Sequence, residues 1–366
     1  YEMQRSLVGS EMCIRDSIGG VYMNKRRWIA VGVACGLLLL SITVALISGK
    51  DKEEASNTTL TGINKIFYGS NEITEETLEE GASNKKIVKL SVNGVIADTG
   101  ESNLFSREQY NHQNFLTQLK KIQEDKAVKG VLLEVNSPGG GIYESAEIAK
   151  EMAKIKKLDI PIYTAFKNTA ASGGYYISAG SDKIFATEET TTGSIGVIIS
   201  GLNYSGLLEK LGVTDATYKS GALKDMMSPQ HKPSEEENKV IQEFVMSAYD
   251  RFVNVVAKGR NMDTNAVKEL ADGRIYDGNQ AVENGLVDQI GYSEDALDSL
   301  KKEKKLTDAT VIEYKNDTTG FASSWLGNKI AEWQGLKATT SDRVISVFEK
   351  LGFSDTPKPM YYYGGL

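Results

Sequence analysis

The 366-residue chain reads as an α/β protein with a mostly parallel sheet, preceded by one N-terminal transmembrane helix. Three observations predict this. Between residues 86 and 295, short apolar runs closed by Gly or Pro alternate with stretches of helical spacing, the pattern of right-handed βαβ units. Trp28 to Ile47 carries no charge and, at about 20 residues, is long enough to cross a bilayer core as a helix. Ser234 to Lys258 opens on a capping-box spacing, Ser234 with Glu237, and carries one apolar stripe.

Taken in order, Tyr1 to Tyr22 has neither a helical nor a strand period. It resembles the read-through of a sequencing adapter, and we treat residues 1–22 as a non-native leader outside the fold. Lys25, Arg26 and Arg27 precede the apolar run, and Trp28 stands at its edge. The positive-inside rule then puts the N-terminus in the cytoplasm and the remainder outside. A cleaved signal peptide is the alternative. The run is longer than a signal-peptide core and no small-x-small site follows it, which favours a retained anchor over residues 23–49.

Residues 50–85 are polar and acidic and read as a stalk with short helices. The main domain, 86–300, opens on a strand, Lys86 to Ile96. Then come a helix (Phe115 to Glu124), a buried strand (Gly130 to Val135), a helix (Ser145 to Lys157) and strands at Ile160 to Ala165 and Asp182 to Ala186. The long helix from Ser234 is expected to end at Gly259 in a left-handed conformation. Ile275 to Ile290 adds a helix with its loops, and Thr310 to Tyr314 a strand. Residues 301–350 read as accessory or oligomerisation segments, and 351–366 as a flexible tail.

Composition excludes several functions. Cys13 and Cys35 fall in the leader and the membrane span, so the rest of the chain offers no thiol for catalysis, disulfides or metal. A net charge of -7 argues against nucleic acid. No Gly-Lys-Ser/Thr follows the glycines of Pro138-Gly139-Gly140-Gly141, so the phosphate-loop reading fails. Nothing calls for a metal or a nucleotide cofactor.

The chemistry converges on Ser172. It sits in the small-residue turn Ala170-Ala171-Ser172-Gly173-Gly174, at the opening of a helix. A serine hydroxyl needs a base. His112 and His231 are the only histidines, and both lie in polar stretches that read as solvated. Lysine serves only when neutral, and burial disfavours the ammonium. Lys224 lies among Gly221, Ala222, Leu223, Met226 and Met227, and Lys219 shares its loop as the second candidate. An oxyanion needs converging backbone donors. Gly139 lets a substrate approach the backbone, and Gly173 follows the nucleophile.

These pieces together resemble the signal peptide peptidase SppA family (protease IV-like). The motifs are Asn136-Ser-Pro-Gly-Gly140, Ala171-Ser-Gly-Gly-Tyr175, Thr192-Gly-Ser-Ile-Gly196, Ser220-Gly-Ala-Leu-Lys-Asp225, Asp272-Gly-Arg-Ile-Tyr276 and Gly285-Leu-Val-Asp288. The resemblance spans about residues 86–295. It implies a ClpP/crotonase-like stack of βαβ units, Ser172 as nucleophile, Lys224 as general base, Ser194 orienting the lysine, and the amides of Gly139 and Gly173 as oxyanion donors. It further implies a serine endopeptidase of the bacterial plasma membrane that degrades hydrophobic peptides, such as cleaved signal peptides. Its assembly would be a homo-octamer in which Ser172 and Lys224 come from neighbouring protomers.

Two other classes share these features: a crotonase-type acyl-CoA enzyme and a catalytically silent membrane scaffold. The membrane span argues against the first, and the intact Ser172, Ser194 and Lys224 against the second. The tail Pro357 to Leu366 leaves two readings open. It is either a substrate-like occupant of the chain's own groove or a plain interface or disordered segment.

Overall fold

Near-continuous burial along the central strands, as expected of a sheet covered on both faces, builds the molecule outward from its sheet. The computed structural model describes residues 37, 73–98, 110–316 and 359–364. In chain order the elements are β1 (Ile73–Glu79), β2 (Ala82–Asn93), α1 (His112–Glu124), β3 (Val128–Ser137), β4 (Gly139–Gly141), α2 (Ile142–Lys156), β5 (Ile162–Ala171), α3 (Gly173–Ser178), β6 (Lys183–Ala186) and β7 (Thr191–Gly193). There follow α4 (Ser205–Lys210), α5 (Glu235–Arg260), α6 (Thr264–Leu270), β8 (Ile275–Tyr276), α7 (Gly278–Glu283), β9 (Gln289–Ile290), α8 (Ser293–Glu303), β10 (Ala309–Asn316) and β11 (Met360–Tyr362).

One sheet runs in the order β1-β10-β2-β3-β5-β6-β9, with β7 paired to β5 and β8 to β7. From β10 to β9 every pairing is parallel, as is β5 with β7. Val88, Leu90 and Val92 of β2 face one side, against Phe115 and Leu119 of α1 and Ile148 and Ile155 of α2. Ile87 and Leu132 face the other side, under Ala296 and Leu300 of α8. Helices therefore cover both faces, as a parallel sheet requires. The expected mixed α/β architecture is what forms.

Several local expectations are corrected. Ile73–Glu79 forms no stalk helix. It is an antiparallel edge strand on β10, exposed along almost its whole length, so it shows no apolar alternation to betray it. The long helix does open on the Ser234–Glu237 capping box, but its left-handed end is Asn261 (φ 52°), past Gly259. Gly259 answers to packing: a Cβ there would stand 2.1 Å from the Ala179 carbonyl oxygen at the end of α3. Within Ile275 to Ile290 only Gly278–Glu283 is helical, flanked by two-residue strands. The leader, the apolar run Trp28 to Ile47 apart from Leu37, and residues 317–358 lie outside the described residues. Among those described, no helix is long and apolar enough to cross a membrane.

The central strands are tied across by Glu134 of β3, which is 4% exposed. It meets Lys89 of β2 at 2.8 Å, Lys167 of β5 at 2.9 Å, and Ser293 of α8. Burial raises the carboxyl pKa, but hydrogen bonds from Lys89, Ser293 and Lys167 outweigh it and hold the group below the ordinary 4.5.

Two stability predictions follow from this packing. In an open helix Gly→Ala stabilises by about 1 kcal/mol; Gly259→Ala should instead lower the melting temperature, because its methyl group meets backbone. A depressed carboxyl pKa stabilises the fold above the unfolded value and loses that contribution as pH falls through the folded one. Glu134→Gln should therefore cost about 2 kcal/mol at neutral pH in urea unfolding, discounted for the part-exposed lysines. It should also flatten the loss of stability that the parent chain shows below about pH 4.5.

Candidate active site

The C-terminal ends of β3 and β5 carry the site side by side, with Ser137 opposite Ala170 in register. Beyond β5 the backbone turns sharply at Ser172, whose φ of 53° and ψ of -115° are costly for a residue with a Cβ. Two bonds hold the turn: the Ser172 N–H donates to the Gly193 carbonyl at 2.8 Å, and the Ser172 carbonyl accepts from Tyr176 N–H at 2.8 Å. The side chain is 1% exposed, and its Oγ has no hydrogen-bond partner among the described residues. An orphaned buried hydroxyl on a strained turn is costly to keep, and such strain collects where chemistry happens.

Beyond β3, the chain passes Pro138 into β4. Gly139 has φ 98°, and a Cβ built on it would stand 2.1 Å from the Tyr361 carbonyl oxygen and 2.5 Å from the Gly173 nitrogen. Gly139 and Gly173 are thus brought together, as expected from the sequence. The amide of Gly139, however, donates to Ser137 Oγ at 3.1 Å. Ile96 takes the Gly139 carbonyl and the Gly141 N–H, both at 2.8 Å. Alternation along a strand then turns the Gly140 N–H the other way, toward Tyr361, its partner in the β4–β11 register. Gly140 is therefore the amide of this turn that looks into the site.

Ser194 joins the group through β7. Ala171 pairs with Gly193, which sets Ser194 beside Ser172; Ser194 is 8% exposed, has φ 48°, and donates its N–H to the Arg274 carbonyl at 2.7 Å. A further hydroxyl went unnoticed in the sequence. Ser145 of α2 is fully buried with an unpartnered Oγ, and a Cβ on Gly173 would lie 2.8 Å from it. Only its place near the start of the helix after the Gly-rich turn could have flagged it.

The lysines stand apart from this cluster. Lys224 sits in a hydrogen-bonded turn and is exposed, not enclosed by the apolar neighbours expected from its sequence; Leu223, Met226 and Met227 are only part-buried. Among the described residues nothing bonds it to Ser172, whose Oγ has no partner there. Lys219 is 2.7 Å from Asp225, whose carboxylate raises its pKa and keeps it charged, so the second candidate is unsuited to be a base. The histidines also depart from expectation. His112 is 2% exposed, between Tyr110 Oη at 2.5 Å and Glu147 at 3.0 Å, because its helix start packs against α2. His231 is half-buried beside Asp225 and Glu237. Neither bonds to Ser172.

Comparison with known proteins fits this arrangement. The sequence profile of peptidase family S49 matches residues 154–307, which hold Ser172, Ser194 and Lys224. Over 344 residues, 94% of this chain and all of the relative, it is 99% identical to an Enterococcus faecium protein provisionally named signal peptide peptidase SppA. The chain belongs to peptidase family S49. Other S49-like relatives are more distant. A provisionally named protease of Methanocaldococcus jannaschii is 36% identical over 58% of this chain and 68% of its own length. Protease 4 of Haemophilus influenzae is 31% identical over 76% of this chain but only 46% of its own length. As an S49 member, the chain is a serine-type peptidase of the SppA and protease 4 kind.

The close approach at Gly139 makes a direct prediction. Gly139→Ala should cut peptidase kcat/KM by about 100-fold or more, the scale of losing an oxyanion contact. Its melting temperature should fall as well, because the methyl meets backbone and a φ of 98° strains any residue with a Cβ, so activity is compared at a temperature where both forms are folded.

Proposed function

We propose that this S49 peptidase is a membrane-anchored serine endopeptidase with a Ser-Lys dyad, in which Ser172 is the nucleophile and Lys224 of a neighbouring protomer is the general base. The observation that carries this reading is the Ser172 hydroxyl, buried on a strained turn with no partner among the described residues. A nucleophile needs a base within hydrogen-bond reach. The family motif's lysine lies exposed on a segment whose apolar residues are uncovered: Leu202 is 56% exposed, Leu211 67% and Tyr218 97%. The first half of α5 likewise leaves Phe244 50% exposed. Apolar surface of this extent suits contact with a second copy. That contact would bury Lys224 and bring it to Ser172, as the homo-octamer of the family resemblance implies.

In the mechanism, neutral Lys224 takes the Ser172 proton and the alkoxide attacks a peptide carbonyl. The N–H groups of Gly173 and Gly140 hold the oxyanion, and Gly139 supplies the room for it. Ser194 orients the lysine. Lys224 then protonates the leaving amine, and water hydrolyses the acyl-enzyme. The ClpP/crotonase-like topology, the anchor at residues 23–49 and an extracytoplasmic catalytic domain complete the reading. So do substrates drawn from hydrophobic peptides, such as released signal peptides, near the bacterial plasma membrane.

Mixing inactive variants tests the shared site. Ser172→Ala and Lys224→Ala should each be folded and inactive toward a fluorogenic hydrophobic peptide. Unfolded and reassembled together at equal amounts, they should regain roughly a quarter of parental activity, since only sites drawing Ser172 and Lys224 from intact donors work. An active Lys224→Ala enzyme would remove Lys224 from the mechanism. Inactivity of every mixture would return the base to the same chain.

A further inference from the structure

Among the described residues, two buried serine hydroxyls lack a hydrogen-bond partner, and both adjoin Gly173: Ser172 Oγ and Ser145 Oγ. The first is the nucleophile of the proposed mechanism. The second has no part in it. Ser145 lies near the start of α2, just after the Gly-rich turn, and is 0% exposed.

A buried serine inside a helix ordinarily returns its hydroxyl to a carbonyl of the preceding turn. Ser178 of α3 does so, donating to the Gly174 carbonyl at 2.7 Å. Ser145 makes no such bond. Its oxygen lies instead 2.8 Å from the point where a Cβ on Gly173 would sit, and the Gly140 nitrogen lies 3.1 Å from the same point. The amides of Gly140 and Gly173 are the oxyanion donors of the proposed mechanism, so the loose hydroxyl stands beside both. Alanine would fill nearly the same space without leaving a polar atom unpaired. In the resting site, therefore, the hydroxyl weakens the fold and gains nothing in return.

A serine hydroxyl proton with no fixed acceptor is free to rotate about its C–O bond. In a buried site of low dielectric, a dipole directed at developing charge stabilises that charge even without contact. We propose that Ser145 is a positioning residue of the oxyanion site, whose hydroxyl dipole turns toward the negative charge as the tetrahedral intermediate forms and acts across Gly173. This rests on Ser172 as nucleophile and on the Gly140 and Gly173 amides as donors. No bond forms or breaks at Ser145; only its O–H direction changes. The charge is absent from bound substrate and present in the intermediate, so the effect falls on kcat and spares KM. Acting at a distance, it is smaller than the loss of about 100-fold that follows removal of a direct donor.

The test uses the full-length protein as parent, Ser145→Ala and Ser145→Cys, with a fluorogenic hydrophobic peptide and a melting curve for each. We expect Ser145→Ala to lose about 10-fold in kcat with KM unchanged, and to melt at or above the parental temperature, since it sheds an unpaired polar atom. Ser145→Cys, which keeps a weak donor, should fall between the two in rate. A peptide boronate, which forms an anionic tetrahedral adduct on the nucleophile, should bind Ser145→Ala about 10-fold more weakly, matching the loss in kcat/KM. Ser178→Ala, which gives up a hydrogen bond already made, should show the reverse: a lower melting temperature and parental kcat. An unchanged kcat in Ser145→Ala would overturn the inference. So would a lower melting temperature accompanying its loss of activity, because Ser145 would then be a packing residue. A fluorophosphonate separates the two levels: label on Ser172 with parental kcat in Ser145→Ala sinks this inference alone, whereas hydrolysis that survives Ser172→Ala sinks the nucleophile assignment and the inference with it.

Discussion

The site depends on how two neighbouring parallel strands end. Inside the sheet β3 and β5 are paired on both sides over most of their length; at their C-terminal ends that pairing must stop. β3 stops by turning through Pro138 and Gly139 into β4, whose outer amides engage Ile96. β5 stops by turning at Ser172 into α3, its N–H taken by Gly193. On the inner side the N–H groups of Gly140, turned toward β11, and of Gly173 are left outside the main sheet. Open parallel sheets bind ligands at such strand ends because backbone donors are left over there.

The glycines and serines of the site follow from that geometry. At Gly139 a side chain would collide with the Tyr361 carbonyl oxygen and the Gly173 nitrogen. At Ser172 the opposite holds: a side chain is kept despite a positive φ, so the turn bears strain in order to aim a hydroxyl. Ser194, also at positive φ, repeats the device one strand over. Glu134 stands behind these turns and fixes β2, β3, β5 and α8 relative to one another, which is what gives the strand ends a constant spacing.

Much of this was legible in the sequence. The apolar runs of β3 and β5, the Ser172 turn and the capping box of α5 are local signals, and each lands within a few residues of its expected place. The unreadable parts are those decided by distant partners. β1 is acidic and exposed, and only β10, over 230 residues away, makes it a strand. His112 sits among polar neighbours, and only Glu147 and Tyr110 reveal why it is buried. Gly259 looked like a helix stop because its true constraint, the Ala179 carbonyl, lies in another element. β11 is three residues long, and its pairing with β4 has no signature in either stretch. The environment of Lys224 is likewise not set by its own sequence neighbours.

The long helix α5 has one property that its two halves conceal when viewed separately. Its second half, with Ala248, Phe252 and Val256, is built into the core and walls the Tyr361 pocket, while Phe244 and Met246 in the first half face outward. No proline or π-bulge interrupts the 26 residues, so the element is a stiff rod about 39 Å long. A stiff rod transmits tilt. Any load placed on its outer end is felt two turns away, at the wall against which Tyr361 packs, and so the outer face and the inner packing cannot be adjusted independently.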